Sequence, residues 1–193
     1  MRILTFKNLA AIILLMLFSS TSFAQFTADM VTTEGDVSRT SKLSYESPYY
    51  RMDMEEGGQQ MFVVVNTKEK LTRVFMPSQK MYMEMKSDDM KSMQNDVFQS
   101  LEAQKQKYET KSLGKETVNG YECEKFQVIA DGSPVTTYWQ SSEIEYPIKV
   151  VSGENQNMVM ELKNIVKGDV DDALFKVPAG FTKMDMPNMM KMK

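Results

Sequence analysis

A mostly-β domain, an antiparallel sheet of roughly ten strands with one helix laid over it, is the fold class the sequence predicts. Three observations predict it. From Phe26 onward, apolar and polar residues alternate in short runs, the pattern of strands whose successive side chains point to opposite faces. Hairpin-length turn signals separate the runs, and short turns join antiparallel neighbours. One stretch alone, between about residues 88 and 108, shifts to the three- and four-residue period of a helix. A sheet of this kind can curl and cover its concave face with that helix.

Before the sheet comes a different kind of segment. Arg2 and Lys7 precede an apolar run from Leu9 to Phe18, followed by small polar residues and Ser22-Phe23-Ala24. This is the order of a secretory signal peptide. The run is shorter than the roughly 20 apolar residues of a membrane span. Cleavage is expected after Ala24, with export to the periplasm, and no Cys adjoins the site to carry a lipid anchor. Residues 1–24 are thus assigned to the leader, 25–182 to one domain, and 183–193 to a mobile tail rich in Met and Lys.

The strands follow in order. Phe26, Ala28, Met30 and Thr32 alternate with polar residues up to the turn Gly35-Asp36. Val37 to Tyr45 forms a second, more polar strand. After Ser47-Pro48, Tyr50, Met52 and Met54 share one face, and Gly57-Gly58 turns the chain. Met61 to Val65 is continuously apolar, as a strand covered on both sides would be. Leu71 to Met76 leads to Pro77-Ser78, and then Met81, Met83 and Met85 share a face.

The helical stripe consists of Met90, Met93, Val97, Leu101 and Tyr108, with Ser87 as N-cap and Asp88 and Asp89 at the positive end of the dipole. Strands resume from Lys111 to Val118. Asn119-Gly120 is the strongest short hairpin signal in the chain. Tyr121 to Ala130, a turn over Asp131-Gly132-Ser133-Pro134, and Val135 to Gln140 with the one tryptophan, Trp139, come next. Ile148 to Val151 and Asn157 to Val166 close the set, with Met158, Met160 and Leu162 on one face. Asp171 to Phe175 reads as a single turn.

The chemistry excluded by composition is broad. The chain has no histidine, which removes the commonest general base and transition-metal ligand and every Ser–His or Cys–His nucleophile. No phosphate-binding glycine loop is present, and no carboxylate pair is singled out by spacing, so no catalytic residue, enzyme activity or cofactor is expected. A net charge of −3 with scattered charges argues against nucleic acid. Cys123 is the only cysteine, read as a small buried hydrophobe.

Methionine is the anomaly, at 19 residues. Three readings stand: ordinary core filling, an adaptable apolar binding surface, and soft thioether ligation of Cu(I). The second gathers Met52, Met54, Met81, Met83, Met85, Met158 and Met160 into one concave wall, covered by Phe98 and Leu101 of the helix, with Trp139 at or near the wall. The third draws on Met184, Met186, Met189, Met190 and Met192 of the tail, with Lys183, Lys191 and Lys193 beside them.

Several segments together resemble one family. FTADMVTTEG, SPYYRMDMEEGGQQMFVVVNTKEKLTRVFMPSQKMYMEM, GKETVNGYECEKFQV, TTYWQSSEIEYPIKV and DDALFKVPAGFTKM occur in the order seen in periplasmic lipoprotein-carrier-like (LolA/LolB-like) proteins. The likeness is to an uncharacterised branch of that superfamily. It implies a curved, incomplete antiparallel barrel with helices as a lid, an apolar cavity for acyl chains, and an early Arg, here Arg51, as a lid contact. The expectation is a non-catalytic periplasmic carrier for a lipid, a lipoprotein acyl chain or another apolar ligand, with a transient envelope-protein partner. The alternatives are Cu(I) binding by the tail and a structural or interaction domain with a filled core.

Overall fold

The computed structural model describes residues 25–86, 96–152 and 157–184. The leader, the segment from Ser87 to Met93, and tail residues Met186, Met189, Met190 and Met192 lie outside them. The strands are β1 (Gln25–Glu34), β2 (Val37–Glu46), β3 (Tyr49–Glu56), β4 (Gln59–Asn66), β5 (Leu71–Met76), β6 (Met81–Lys86), β7 (Glu109–Val118), β8 (Tyr121–Ala130), β9 (Ser133–Ser141), β10 (Lys149–Ser152), β11 (Met158–Lys167) and β12 (Thr182–Lys183). They form one sheet in the order β12-β6-β5-β4-β3-β2-β1-β11-β10-β9-β8-β7. All pairs are antiparallel except β12 on β6. The sheet is curved and stays open, because the edge strands β12 and β7 do not meet.

Local chemistry explains the meander. Asn119 and Gly120 both adopt positive φ, 49° and 85°, so the β7–β8 hairpin turns with the twist its strands require. The β8–β9 turn is shorter than the sequence suggested. Asp131 and Gly132 suffice, and Ser133 and Pro134 already belong to β9. Proline is tolerated there because β10 pairs with β9 only over Thr136–Trp139, leaving Pro134 no partner on that side for an N–H. Two-residue β12 carried no periodic signal and was not foreseen.

The helix α1 (Val97–Lys107) is shorter than the periodicity implied. Asp96 has extended backbone, φ −90° and ψ 98°, and its carboxylate accepts from Gln99 N at 3.1 Å. An N-cap at this point breaks any helix running from Asp88 to Tyr108, which corrects that expectation. The reason is legible afterwards, since Asn and Asp favour caps over helix interiors. Among the described residues no helix is long and apolar enough to cross a membrane.

Both faces of the sheet are covered in part. The main core lies between its concave face and α1, and includes Phe26, Leu43, Tyr50, Phe98, Leu101, Tyr146, Ile148, Met160 and Leu162. A second cluster lies on the convex side, where Phe62, Val64, Phe75, Val170 and Phe175 pack together. The C-terminal segment supplies its cover. Gln25 receives Gly168 N and Val170 N, at 3.3 and 2.8 Å. The single turn Asp172–Phe175 then seats Phe175 on Tyr49 with ring centroids 5.7 Å apart, and Phe181 lies against Phe75 at 5.8 Å. The segment acts as a strap ending in β12. Each large apolar side chain so buried contributes roughly 1.5–3 kcal/mol.

Candidate functional site: the concave face and its helix

Strand register arranges the concave face in rows. One row reads Phe26, Tyr45, Tyr50, Val65, Thr72 and Met85 across β1 to β6, each residue the cross-strand partner of the next. The next reads Ala28, Leu43, Met52, Val63, Val74 and Met83. In the third, Met54 faces Met61 and Met76 faces Met81. Alternation sends the intervening residues, such as Phe62, Val64 and Phe75, to the convex side.

The helix closes one half of this surface. Phe98 stacks on Tyr146 at 4.4 Å and meets Tyr50 edge-on at 5.5 Å, while Tyr146 also contacts Phe26 and Tyr45. Tyr50 donates to Asp96 at 2.5 Å, and Thr136 donates to Gln104 at 2.7 Å. Between α1 and the sheet, Val97, Leu101, Thr136, Val150, Ser152 and Met158 are among the residues around a gap of about 10 Å³. That is room for about one water.

The side chains of the first two rows are neutral, and the carboxylates of Glu145 and Asp96 accept from Tyr45 and Tyr50. Burial, with nearby Glu145, pushes the Tyr45 hydroxyl up to about 12. Burial also holds Tyr50 and Tyr146 well above the ordinary phenol range, with Asp96 adding to the effect at both. One polar atom in the wall is unpaired: the Thr72 hydroxyl is buried without a hydrogen-bond partner. It sits in the row between Val65 and Met85.

The expected lining residues fall as follows. Met52, Met54, Met83, Met85, Phe98, Leu101, Met158 and Met160 all belong to or pack against the concave core. Met81 shares their face of β6 and is half-buried. Met160 is fully buried. Trp139 is buried in the same core cluster, but its ring is turned to the other face of the sheet. Tyr138 and Thr136 face α1, so Trp139 lies on the opposite side of β9, where its indole donates to Glu116 at 3.0 Å and Lys125 and Lys149 cover its ring. Thr136 to Trp139 are all buried, so the sequence offered no alternation to set the phase.

Arg51 also departs from its expected role. It points to the convex side, over the Phe62 ring at 3.7 Å, pairs with Asp53, and donates to Leu174 O at 3.1 Å. It fastens the strap, not the helix, because Tyr50 and Met52 occupy the concave positions of β3. Cys123 is buried, as expected, and burial pushes its thiol upward. Of the tail methionines only Met184 is described, half-buried beside β6 with its N–H on Tyr82 O at 2.8 Å. The sequence reading missed Tyr50, Tyr146 and Thr72. Tyr50 carried a signal through its face shared with Met52, whereas Tyr146 lay in a loop and carried none.

Solved structures share this geometry. An uncharacterized conserved protein from Thermus thermophilus superposes at TM-score 0.56 and 10% identity, covering 91% of this chain and 98% of that one. MucB superposes at TM-score 0.50 and 14% identity, over 82% of this chain and 61% of that one. A LolA superfamily protein from Nitrosomonas europaea matches at TM-score 0.39 and 10% identity, over 79% and 89%. The open sheet with a helix in its concavity is the half-barrel fold that the lipoprotein-carrier-like resemblance implied. No curated protein matches the sequence. The model of one family, described as a domain of unknown function (DUF4412), matches residues 27–146 and 142–181, and the chain belongs to that family.

Proposed function

We propose that this protein is a non-catalytic binding protein of the cell envelope that shelters an apolar chain between the concave sheet face and α1. The observation that carries the reading is the continuous, neutral wall of aromatic, aliphatic and methionine side chains, closed by a helix on a side-chain seam. Such a wall favours ligands through area alone, at roughly 25 cal/mol per Å² buried, or about 0.8 kcal/mol per CH₂. Methionine lets the wall fit different chains. The unpaired Thr72 hydroxyl offers one hydrogen bond for a polar head. Because the gap under α1 is so small, entry requires the helix to shift. The leader-like residues 1–24 and the histidine-free composition support the envelope location and the absence of catalysis. A transient envelope partner that delivers or receives the ligand belongs to the same reading.

The test is a titration of the purified protein with a fluorescent fatty-acid probe. The wild type gives saturable uptake. Met83→Asp, which sets a carboxylate in a half-buried part of the wall, abolishes it with an unchanged circular-dichroism spectrum. Equal uptake by a folded Met83→Asp protein contradicts the proposed lining. The gap of about 10 Å³ favours a second reading, an interaction domain with a filled core, which predicts no uptake by either protein.

A further inference from the structure

We propose that Met76, Met81, Met83 and Met184 form a thioether site for a soft monovalent metal ion, Cu(I) or its analogue Ag(I). Met76 and Met81 are direct cross-strand partners at the end of the β5–β6 hairpin. Met83 follows Met81 on the same face. The parallel pairing of Thr182 with Met81 and Lys183 with Tyr82 carries Met184 alongside Met83. Lys183 reaches Glu84 at 2.6 Å on the convex side, which sends Met184 to the concave side with the others. Four thioethers thus occupy neighbouring positions on three adjacent strands, about 4.8 Å apart between strands and roughly 6.6 Å apart along one.

Two properties suit these residues to an ion. All four are half-buried, sheltered yet reachable. Methionine is unbranched with three rotatable bonds, so the sulfurs can converge from that spacing. Harder competitors are missing from the neighbourhood, since the chain has no histidine and no three His, Cys, Asp or Glu converge among the described residues. A donor set of neutral thioethers selects Cu(I) over divalent ions. It also binds no proton, so affinity is independent of pH across the range where carboxylates and imidazoles titrate. The site differs from one built of tail methionines alone, because three of its ligands come from the sheet.

The experiment is calorimetric titration of the full-length purified protein with silver nitrate. The wild type takes up Ag(I) with the same affinity at pH 5 and pH 7, both above the ordinary carboxylate values. Replacing Met76, Met81, Met83 and Met184 together by Leu removes the sulfur, keeps the apolar surface, and abolishes silver binding. Replacing Met186, Met189, Met190 and Met192 by Leu leaves it intact. Fatty-acid probe uptake by the wild type is read in a separate titration without silver, so failure of this site and failure of the apolar-ligand reading are distinguished. Should the fourfold variant not fold, Met81→Leu with Met184→Leu carries the same test. Retained binding in the sheet variant, loss in the tail variant, or no binding by the wild type overturns the proposal.

Discussion

Glu84 joins three parts of the chain, and its surroundings set a pH dependence. Lys183 of β12 and Arg73 of β5 both donate to it, at 2.6 and 2.8 Å. These hydrogen bonds hold its carboxyl below the ordinary carboxylate range, outweighing partial burial. A folded-state pKa lowered in this way stabilises the fold above the unfolded carboxylate pKa, and the contribution is lost as pH falls through the folded value. The strap end should therefore loosen on acidification below the ordinary carboxylate range. Hydrogen exchange of residues 181–184 should accelerate between pH 5 and pH 3 in the wild type, relative to intrinsic rates. In Glu84→Gln it should be fast at both, and an identical pH response in the two proteins contradicts this role for Glu84. For single residues the sequence was uneven. Met52 could be assigned a face because Arg51 and Asp53 flank it, and Met83 and Met160 through their alternation with Glu84 and Glu161. Trp139 could not, in a run buried on both sides, and Arg51 was read through the resemblance although its strand parity already placed it opposite Tyr50.

The helix is the element whose attachment matters most. Its N-terminus is fixed by Asp96, which accepts from Gln99 N and Tyr50 Oη, while Phe98 and Leu101 provide the apolar contact. Asp96→Ala removes the cap, at about 1 kcal/mol, and the Tyr50 bond, at roughly another 1 kcal/mol. Amide exchange in residues 97–107 should then rise by tenfold or more with little change in the central strands. Uniform acceleration across sheet and helix contradicts a separately opening lid. The periodic stripe revealed that a helix exists, but its start was misread because an N-cap inside a three–four repeat does not interrupt the repeat. The strap was hidden for another reason. The continuous run Met61 to Val65 announced a strand covered on both faces, and Phe62 and Val64 do lie under a second cover. What covers them is an irregular segment, which has no period to read.

Across the full sheet, the meander was legible because short turns join β1 through β6 and β7 through β9 in succession, so chain order and sheet order coincide within those runs. The exceptions are the closure of β1 on β11 at the middle of the sheet, the parallel pairing of β12 on β6, and the crossing from β6 to the far edge at β7. Alternation alone cannot reveal such long-range pairing, since any strand with an apolar face satisfies it. The curvature that follows gives the sheet one concave surface, with a run of methionines on β3 to β6, and the helix spans it from Tyr50 of β3 to Thr136 of β9. On the proposed reading, wall, lid and strap are parts of one device, with the strap on the convex side and the helix as the element that opens.

Whether that device holds a lipid is best decided by native mass spectrometry of the protein isolated gently from the cells that produce it. An added mass in the range of a fatty acid or phospholipid is expected, released when the helix seam is opened by Asp96→Ala. A protein that emerges bare under conditions preserving its fold, and takes up no lipid afterwards, contradicts the binding role and leaves the concave face as a filled core.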